Sequence, residues 1–147
     1  MGTLHAAIDI SRAPAVVFAL VAEPRNMPLW YDAVDNVAKT TDGPTGPGTH
    51  YQVTRSLPGG QAHNDVELSE HQPNRRVTLE SRSGPTPFRY RYMLEPTGAG
   101  TRLTLEGSIT SAGLPGPLGH LDGIAAQLFR RGMKRNLDQL KRIIDAS

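Results

Sequence analysis

The sequence predicts an α+β fold: a seven-stranded, curved antiparallel sheet wrapped around one long C-terminal helix, with two short helices after the first strand. Three observations carry this expectation. Between residues 34 and 110, alternating runs of roughly 7–12 residues end in clusters of breakers (DGPTGPG, LPGG, HQPNR, SGPTP, PTGAG), the spacing of an antiparallel meander. The C-terminal segment carries one broad apolar stripe at helical period. Just after residue 10 the apolar period changes from two toward that of a helix, well before the meander begins.

Taken in order, TLHAAIDI at 3–10 sets Leu4, Ala6, Ile8 and Ile10 on one face, the mark of a half-buried strand. SRAPAVVFALVAEP follows as a short helix. Pro14 suits its first turn, where the missing N–H costs nothing, and Val17, Leu20 and Val21 share a side. Pro24 ends it or opens the next short helix, EPRNMPLWYDAV, which carries Trp30. Within the meander, RVTLES places Val77 and Leu79 together. FRYRYML places Phe88, Tyr90, Tyr92 and Leu94 on one face with Arg89 and Arg91 opposite, and TRLTLEGSI does the same for Leu103, Leu105, Gly107 and Ile109. Each strand thus has a wet and a dry face. The last helix is expected from about Leu118 to Ile144, its apolar side running through Leu121, Leu128, Met133, Leu137 and Leu140 and its basic side through Arg130, Arg131, Lys134, Arg135, Lys141 and Arg142. A sheet with one dry face must cover it, and only this helix is large enough to do so.

The chain of 147 residues has the length of one domain, 1–147, with room for a substantial core. A net charge of +2 is too small to argue for nucleic acid, and the absence of cysteine excludes disulfides and thiolate chemistry. The longest apolar run, AVVFALVA at 15–22, falls far short of the ~20 residues that span a bilayer. No basic stretch followed by an apolar one opens the chain, and MGTLHA has Ala6 where a myristoylation site wants Ser or Thr. The expectation is a soluble, cytoplasmic protein with no nucleic-acid partner and no integral membrane segment. A homodimer is permitted, since nothing in the sequence sets the oligomeric state.

Several chemistries are excluded by residue type. Gly43 and Gly48 stand at phosphate-loop spacing, but Thr49 and His50 follow where the lysine should be. Pro44 and Pro47 remove two N–H donors, and THYQV continues as a strand, so DGPTGPG reads as a loop between strands. There is no G-x-S-x-G elbow. None of the five histidines has a partner at ligand spacing on a helix. His50 and His63 could meet across the LPGG turn, although exposed strand positions are the preferred reading. No metal and no cofactor are expected.

The order of these pieces resembles the START-like, helix-grip superfamily (SRPBCC), and within it the polyketide cyclase/dehydrase and lipid-transport branch. The residues that carry the resemblance are IDISRAPAVVFALV near the start, the tryptophan of PLW, GPTGPGTHY, the strands with GTRLTL and the final MKRNLDQLK helix. The resemblance covers essentially the whole chain. It implies a helix-grip fold with a deep cavity between sheet and helix for an apolar or aromatic small molecule. Some members cyclise or dehydrate polyketides, and others bind or carry their ligand.

Candidate ligand-binding residues follow from the dry faces. If Tyr51 and Val53 face the helix, Arg55 does too, and Asn64 does so if Val66 and Leu68 do. Arg55 either holds a carboxylate or enolate or is satisfied inside or at the rim, with its guanidinium snorkelling to water; the second is preferred. Tyr90 and Tyr92 are read as cavity lining, as the resemblance implies. Trp30 either caps the mouth or anchors the second short helix. Gly132 stands near the middle of the helix's dry face between Leu128 and Asn136, against a helix cost of roughly 1 kcal/mol. Either close packing or space for the ligand offsets that cost, and space is preferred. Binding or carriage of a small hydrophobic or aromatic molecule is therefore the first functional reading. A polyketide cyclase/aromatase or dehydratase is the alternative. It calls for several convergent ionisable groups, whereas Arg55 and tyrosines are what the dry face offers.

Overall fold

The computed structural model describes residues 3–32, 34–57, 59–81, 88–109 and 123–146. Strand β1 (Thr3–Ile10) leads into helix α1 (Pro14–Val21) and a 3-10 helix (Pro24–Leu29). Six strands follow, β2 (Val34–Lys39), β3 (His50–Leu57), β4 (Gly60–Gln72), β5 (Arg76–Ser81), β6 (Phe88–Pro96) and β7 (Thr101–Ile109), and then helix α2 (Gly123–Asp145). All seven strands form one antiparallel sheet in the order β1-β7-β6-β5-β4-β3-β2. The meander accounts for β2 to β7, and β1 closes on β7, so the two short helices carry the chain from one sheet edge to the other.

The alternation predicts the buried face. On β6, Phe88, Tyr90, Tyr92 and Leu94 are buried while Arg89, Arg91 and Met93 are less so. On β4, Ala62, Asn64, Val66 and Leu68 are buried between exposed or half-buried neighbours. Across this face lies α2, whose Met133, Leu137, Leu140 and Ile144 are all buried, and which packs most extensively along β1. Leucine burial of this kind contributes roughly 1.5–3 kcal/mol per side chain.

The second short helix is of 3-10 type, and the start of the last helix falls outside the described residues. The segment after Pro24 is a 3-10 turn and not an α-helix; in an α-helix the ring of Pro28 would clash with the carbonyl of Pro24, four residues back. Trp30 is its C-terminal cap, donating its N–H to Met27 O at 3.1 Å. The described part of α2 begins at Gly123, so the expected start at Leu118 and the stripe residue Leu121 lie outside the described residues. The DGPTGPG segment joins β2 to β3. Gly43 and Gly48 take φ values of 95° and 89°, where glycine is at ease, and Gly48 N–H donates to Leu68 O at 2.8 Å.

A close approach between sheet and helix occurs at Gly107 on β7. A Cβ there would lie 3.2 Å from Met133 Cε and 3.3 Å from Tyr90 Cδ1. Gly132, expected near the centre of the dry face, instead lies half-buried at its edge, and a Cβ there would meet nothing within 4 Å among the described residues. Among the described residues, then, no close packing accounts for the glycine at 132. Gly132→Ala is expected to raise stability by about 0.5–1 kcal/mol, the usual gain of alanine over glycine inside a helix, as read by urea denaturation. A loss of stability would show that the position is crowded.

Candidate functional site

Between sheet and α2 the dry face is not uniformly apolar. Arg55 and Asn64 come together because β3 and β4 pair with Arg55 opposite Ala62 and Val53 opposite Asn64, which makes the two side chains diagonal neighbours on one face. Arg55 Nε and Nη2 both donate to Asn64 Oδ1, at 3.0 and 2.7 Å, and Asn64 Nδ2 donates to Ser81 Oγ at 3.1 Å. Arg55 is 7% exposed and Asn64 1%, so the guanidinium does not reach out to water as expected but is held inside. Its Cζ lies 5.3 Å from the Phe88 ring centroid, within cation–π range.

An aromatic cluster closes over this polar chain. Phe88 and Tyr90 stack at 4.7 Å, Tyr31 lies 5.9 Å from Tyr90, and Trp30 meets Tyr31 at 5.6 Å and Tyr92 in a T-shaped contact at 5.8 Å. The end of the 3-10 helix delivers Trp30 and Tyr31, and β6 presents Phe88, Tyr90 and Tyr92. Burial is the main cause that pushes the Tyr31 and Tyr92 phenols well above their ordinary range and Tyr90 above it. Tyr31 also hydrogen-bonds Tyr90, and the nearby Arg55 charge moderates both. All three are thus neutral hydroxyls at physiological pH. Burial pulls the Arg55 guanidinium below its usual value, the two phenols push it back, and it keeps its charge.

Two donors in this region are unspent. Trp30 Nε1 and Tyr92 Oη are buried and meet no hydrogen-bond partner among the described residues. Such groups are rare in folded proteins, because a buried donor without an acceptor costs about 1–3 kcal/mol.

The structure brings together Trp30, Arg55, Asn64, Tyr90 and Tyr92. Asn136 joins from α2: it is buried, and its Oδ1 accepts from Asp32 N at 3.3 Å, tying the helix to the segment that carries Trp30 and Tyr31. Tyr51 is fully buried, but its hydroxyl meets Thr45 Oγ1 at 3.0 Å, which in turn donates to Glu23 Oε1 at 3.2 Å. It therefore serves the β2–β3 loop and not the Arg55 cluster. The side chain of Leu128 lies outside the described residues. Tyr31 and Ser81 were missed in the sequence. Ser81 continues the Val77–Leu79 alternation and was legible there, whereas Tyr31, on a 3-10 turn, has no periodic signal.

His50 and His63 are not brought together. The β3–β4 register sets His50 against Glu67 and His63 against Thr54; His50 pairs with Asp65 at 3.1 Å, and His63 meets Thr54 Oγ1 at 3.1 Å. Among the described residues no group of three His, Asp or Glu side chains is placed to hold a metal ion. No helix among them is long and apolar enough to cross a membrane.

Known proteins share this fold. The fold is that of TTHA0849 from Thermus thermophilus, at a TM-score of 0.81 and 18% identity over 99% of this chain and 98% of that one. It is also that of Ara h 8.0201, at 0.72 and 14% over 99% of both chains. DynU16, from the dynemicin biosynthetic locus, matches at 0.65 and 20%, over 97% of this chain and 47% of its own. No curated protein sequence matches. At these identities the likeness is one of fold, the Bet v 1-like helix grip. The sequence itself matches the family description "Polyketide cyclase / dehydrase and lipid transport" over residues 1–145, and the chain belongs to that family.

Proposed function

We infer that this protein binds a small hydrophobic or aromatic molecule between the sheet and α2, with Arg55 and the tyrosines oriented toward its polar end. The observation that carries this reading is the polar content of a buried aromatic cluster: a guanidinium, an amide, three phenols and an indole N–H, two of these donors unspent among the described residues. A core built for stability alone is better served by apolar side chains, since a buried polar group costs free energy unless it is satisfied. A ligand with an acceptor atom or a negative charge gives these groups a use. Family membership and the helix-grip fold support binding as the common denominator, and carriage of the ligand between partners is a finer step within the same reading.

Two fluorescent probes of like shape test it, anionic anilinonaphthalene sulfonate and neutral N-phenylnaphthylamine. Both are expected to bind the native protein. Arg55→Met should weaken the anionic probe by about tenfold to a hundredfold, the worth of a charge-assisted hydrogen bond of roughly 1.5–3 kcal/mol, and leave the neutral one nearly unchanged. Tyr92→Phe should hold or raise the melting temperature, because it deletes a hydroxyl that makes no bond among the described residues. Failure of both probes to bind, or equal loss of both in Arg55→Met, would return the cluster to a structural role.

The same geometry supports a second reading, cyclisation or dehydration of a polyketide. Tyr31 is hydrogen-bonded to Tyr90 and Arg55 bears on both, an arrangement able to hold an enolate and pass it a proton. Turnover of a poly-β-ketone thioester into a ring, abolished in Tyr31→Phe while probe binding survives, would favour catalysis over binding.

A further inference from the structure

Helix α2 carries six basic residues and two acids, a net of +4 in a chain whose net charge is +2, so the rest of the molecule carries −2. At ~100° per residue all eight fall in one arc of roughly 140°, away from the buried stripe of Met133, Leu137, Leu140 and Ile144. One flank of that arc is engaged with the sheet edge. Lys134 Nζ donates to Ala7 O at 3.4 Å and Lys141 Nζ to Asp9 O at 2.8 Å, and the same lysines pair with Asp138 and Asp145. On the other flank Arg131 and Arg135 are exposed and make no hydrogen bond or ion pair among the described residues, while Arg142 reaches Gln139 on its own helix at 2.7 Å.

That second flank turns toward the two short helices. Next around α2 from Arg135 comes the side of Asn136, which accepts from Asp32 just after the 3-10 helix. Ile143 and Ile144 face Val16, Ala19 and Leu20 of α1 across an apolar notch of about 280 Å³. On these same short helices stand the two large apolar side chains left exposed among the described residues, Val16 at 44% and Leu29 at 57%.

We propose that this flank docks on an anionic lipid bilayer, with Arg131, Arg135 and Arg142 on headgroup phosphates and Leu29 and Val16 entering the acyl boundary. Arginines ranged along a helix beside exposed apolar side chains match a surface that is negative at the headgroups and apolar just beneath them. A purely acidic polypeptide, without apolar side chains, would answer the arginines but offer nothing to Leu29 and Val16. The bilayer answers both.

The test is co-sedimentation of the full chain with phosphatidylcholine vesicles, with and without phosphatidylglycerol. Binding is expected only with phosphatidylglycerol and should fall steeply with salt. Arg131→Gln, Arg135→Gln and Arg142→Gln should each weaken it about fivefold, and the three together by about two orders of magnitude. Leu29→Ser should weaken it further at constant charge. The same charge removed from the outer sheet face, by Arg76→Gln, Arg89→Gln and Arg102→Gln together, should leave it within about twofold, with circular dichroism confirming that every variant is folded. No preference for anionic vesicles overturns the proposal, as does an equal loss in the sheet-face variant, which would reduce the effect to net charge. If soluble polyglutamate competes fully and Leu29→Ser changes nothing, the face serves an acidic polypeptide and the bilayer is ruled out.

Discussion

Gly100→Ala is expected to lower stability by about 3 kcal/mol or more, the upper end of overpacking costs, and the melting temperature by roughly 6–12 °C for a chain of this size. A Cβ at Gly100 would lie 2.1 Å from Ile10 O, 2.7 Å from Arg12 N and 3.0 Å from Arg12 O. All three are backbone atoms, so no rotamer change relieves the contact. The stretch they belong to is clamped from both sides. Thr101 pairs with Ile10 at the end of the β1–β7 ladder, and its Oγ1 donates to Arg12 O at 2.7 Å. Arg12 Nη2 donates to Asp145 O at 3.0 Å, so a displaced Arg12 also disturbs the end of α2. Gly98, two residues earlier in the same turn, has nothing within 4 Å of its would-be Cβ among the described residues, and Gly98→Ala should stay within about 0.5 kcal/mol of the native protein. Scanning calorimetry of the two variants separates the positions; equal melting temperatures would mean that the β6–β7 turn gives way without cost.

Asn64→Leu is expected to cost about 3 kcal/mol, through the guanidinium and not through lost packing. The substitution puts an apolar side chain of like branching in place of the amide, and so removes the acceptor of two Arg55 N–H groups and a donor to Ser81. Removing the charge as well should recover much of the loss. The double variant Asn64→Leu with Arg55→Met is therefore expected to be more stable than Asn64→Leu alone, with a coupling energy of about 1.5 kcal/mol or more in a double-mutant cycle by chemical denaturation. Strict additivity would mean that Asn64 matters by shape, and that the Arg55 charge is held by other means. The comparison also bears on function. If the double variant is stable and no longer prefers the anionic probe, the pair is retained at a cost in stability for the sake of the ligand.

What the sequence by itself determined is the set of elements and their faces. Period two in FRYRYML and TRLTLEGSI, and period 3.6 in the last helix, state which side chains turn inward, because backbone geometry repeats at those intervals whatever lies opposite. The order of those elements, with IDISRAPAVVFALV and GTRLTL in place, carried the family as well. The inward position of Arg55 and Asn64 was legible in the same way, two residues on from Val53 and two before Val66. Their contact was not. It depends on a register in which Arg55 sits opposite Ala62, and alternation is blind to sliding by two residues, which preserves every face. The histidines show the same blindness from the other side: a turn between them allows proximity, exposed strand positions are the preferred reading, and the register keeps them apart. Only the tertiary structure could show that Tyr31 lies against Tyr90, since a 3-10 turn has no periodicity to read and the two residues are far apart in the chain. Likewise a glycine in a sequence states only that a side chain is absent. Whether that absence is filled by a neighbour, as at Gly100 and Gly107, or left open among the described residues, as at Gly132, is decided by atoms from other elements, whose positions follow from packing the whole sheet against the helix.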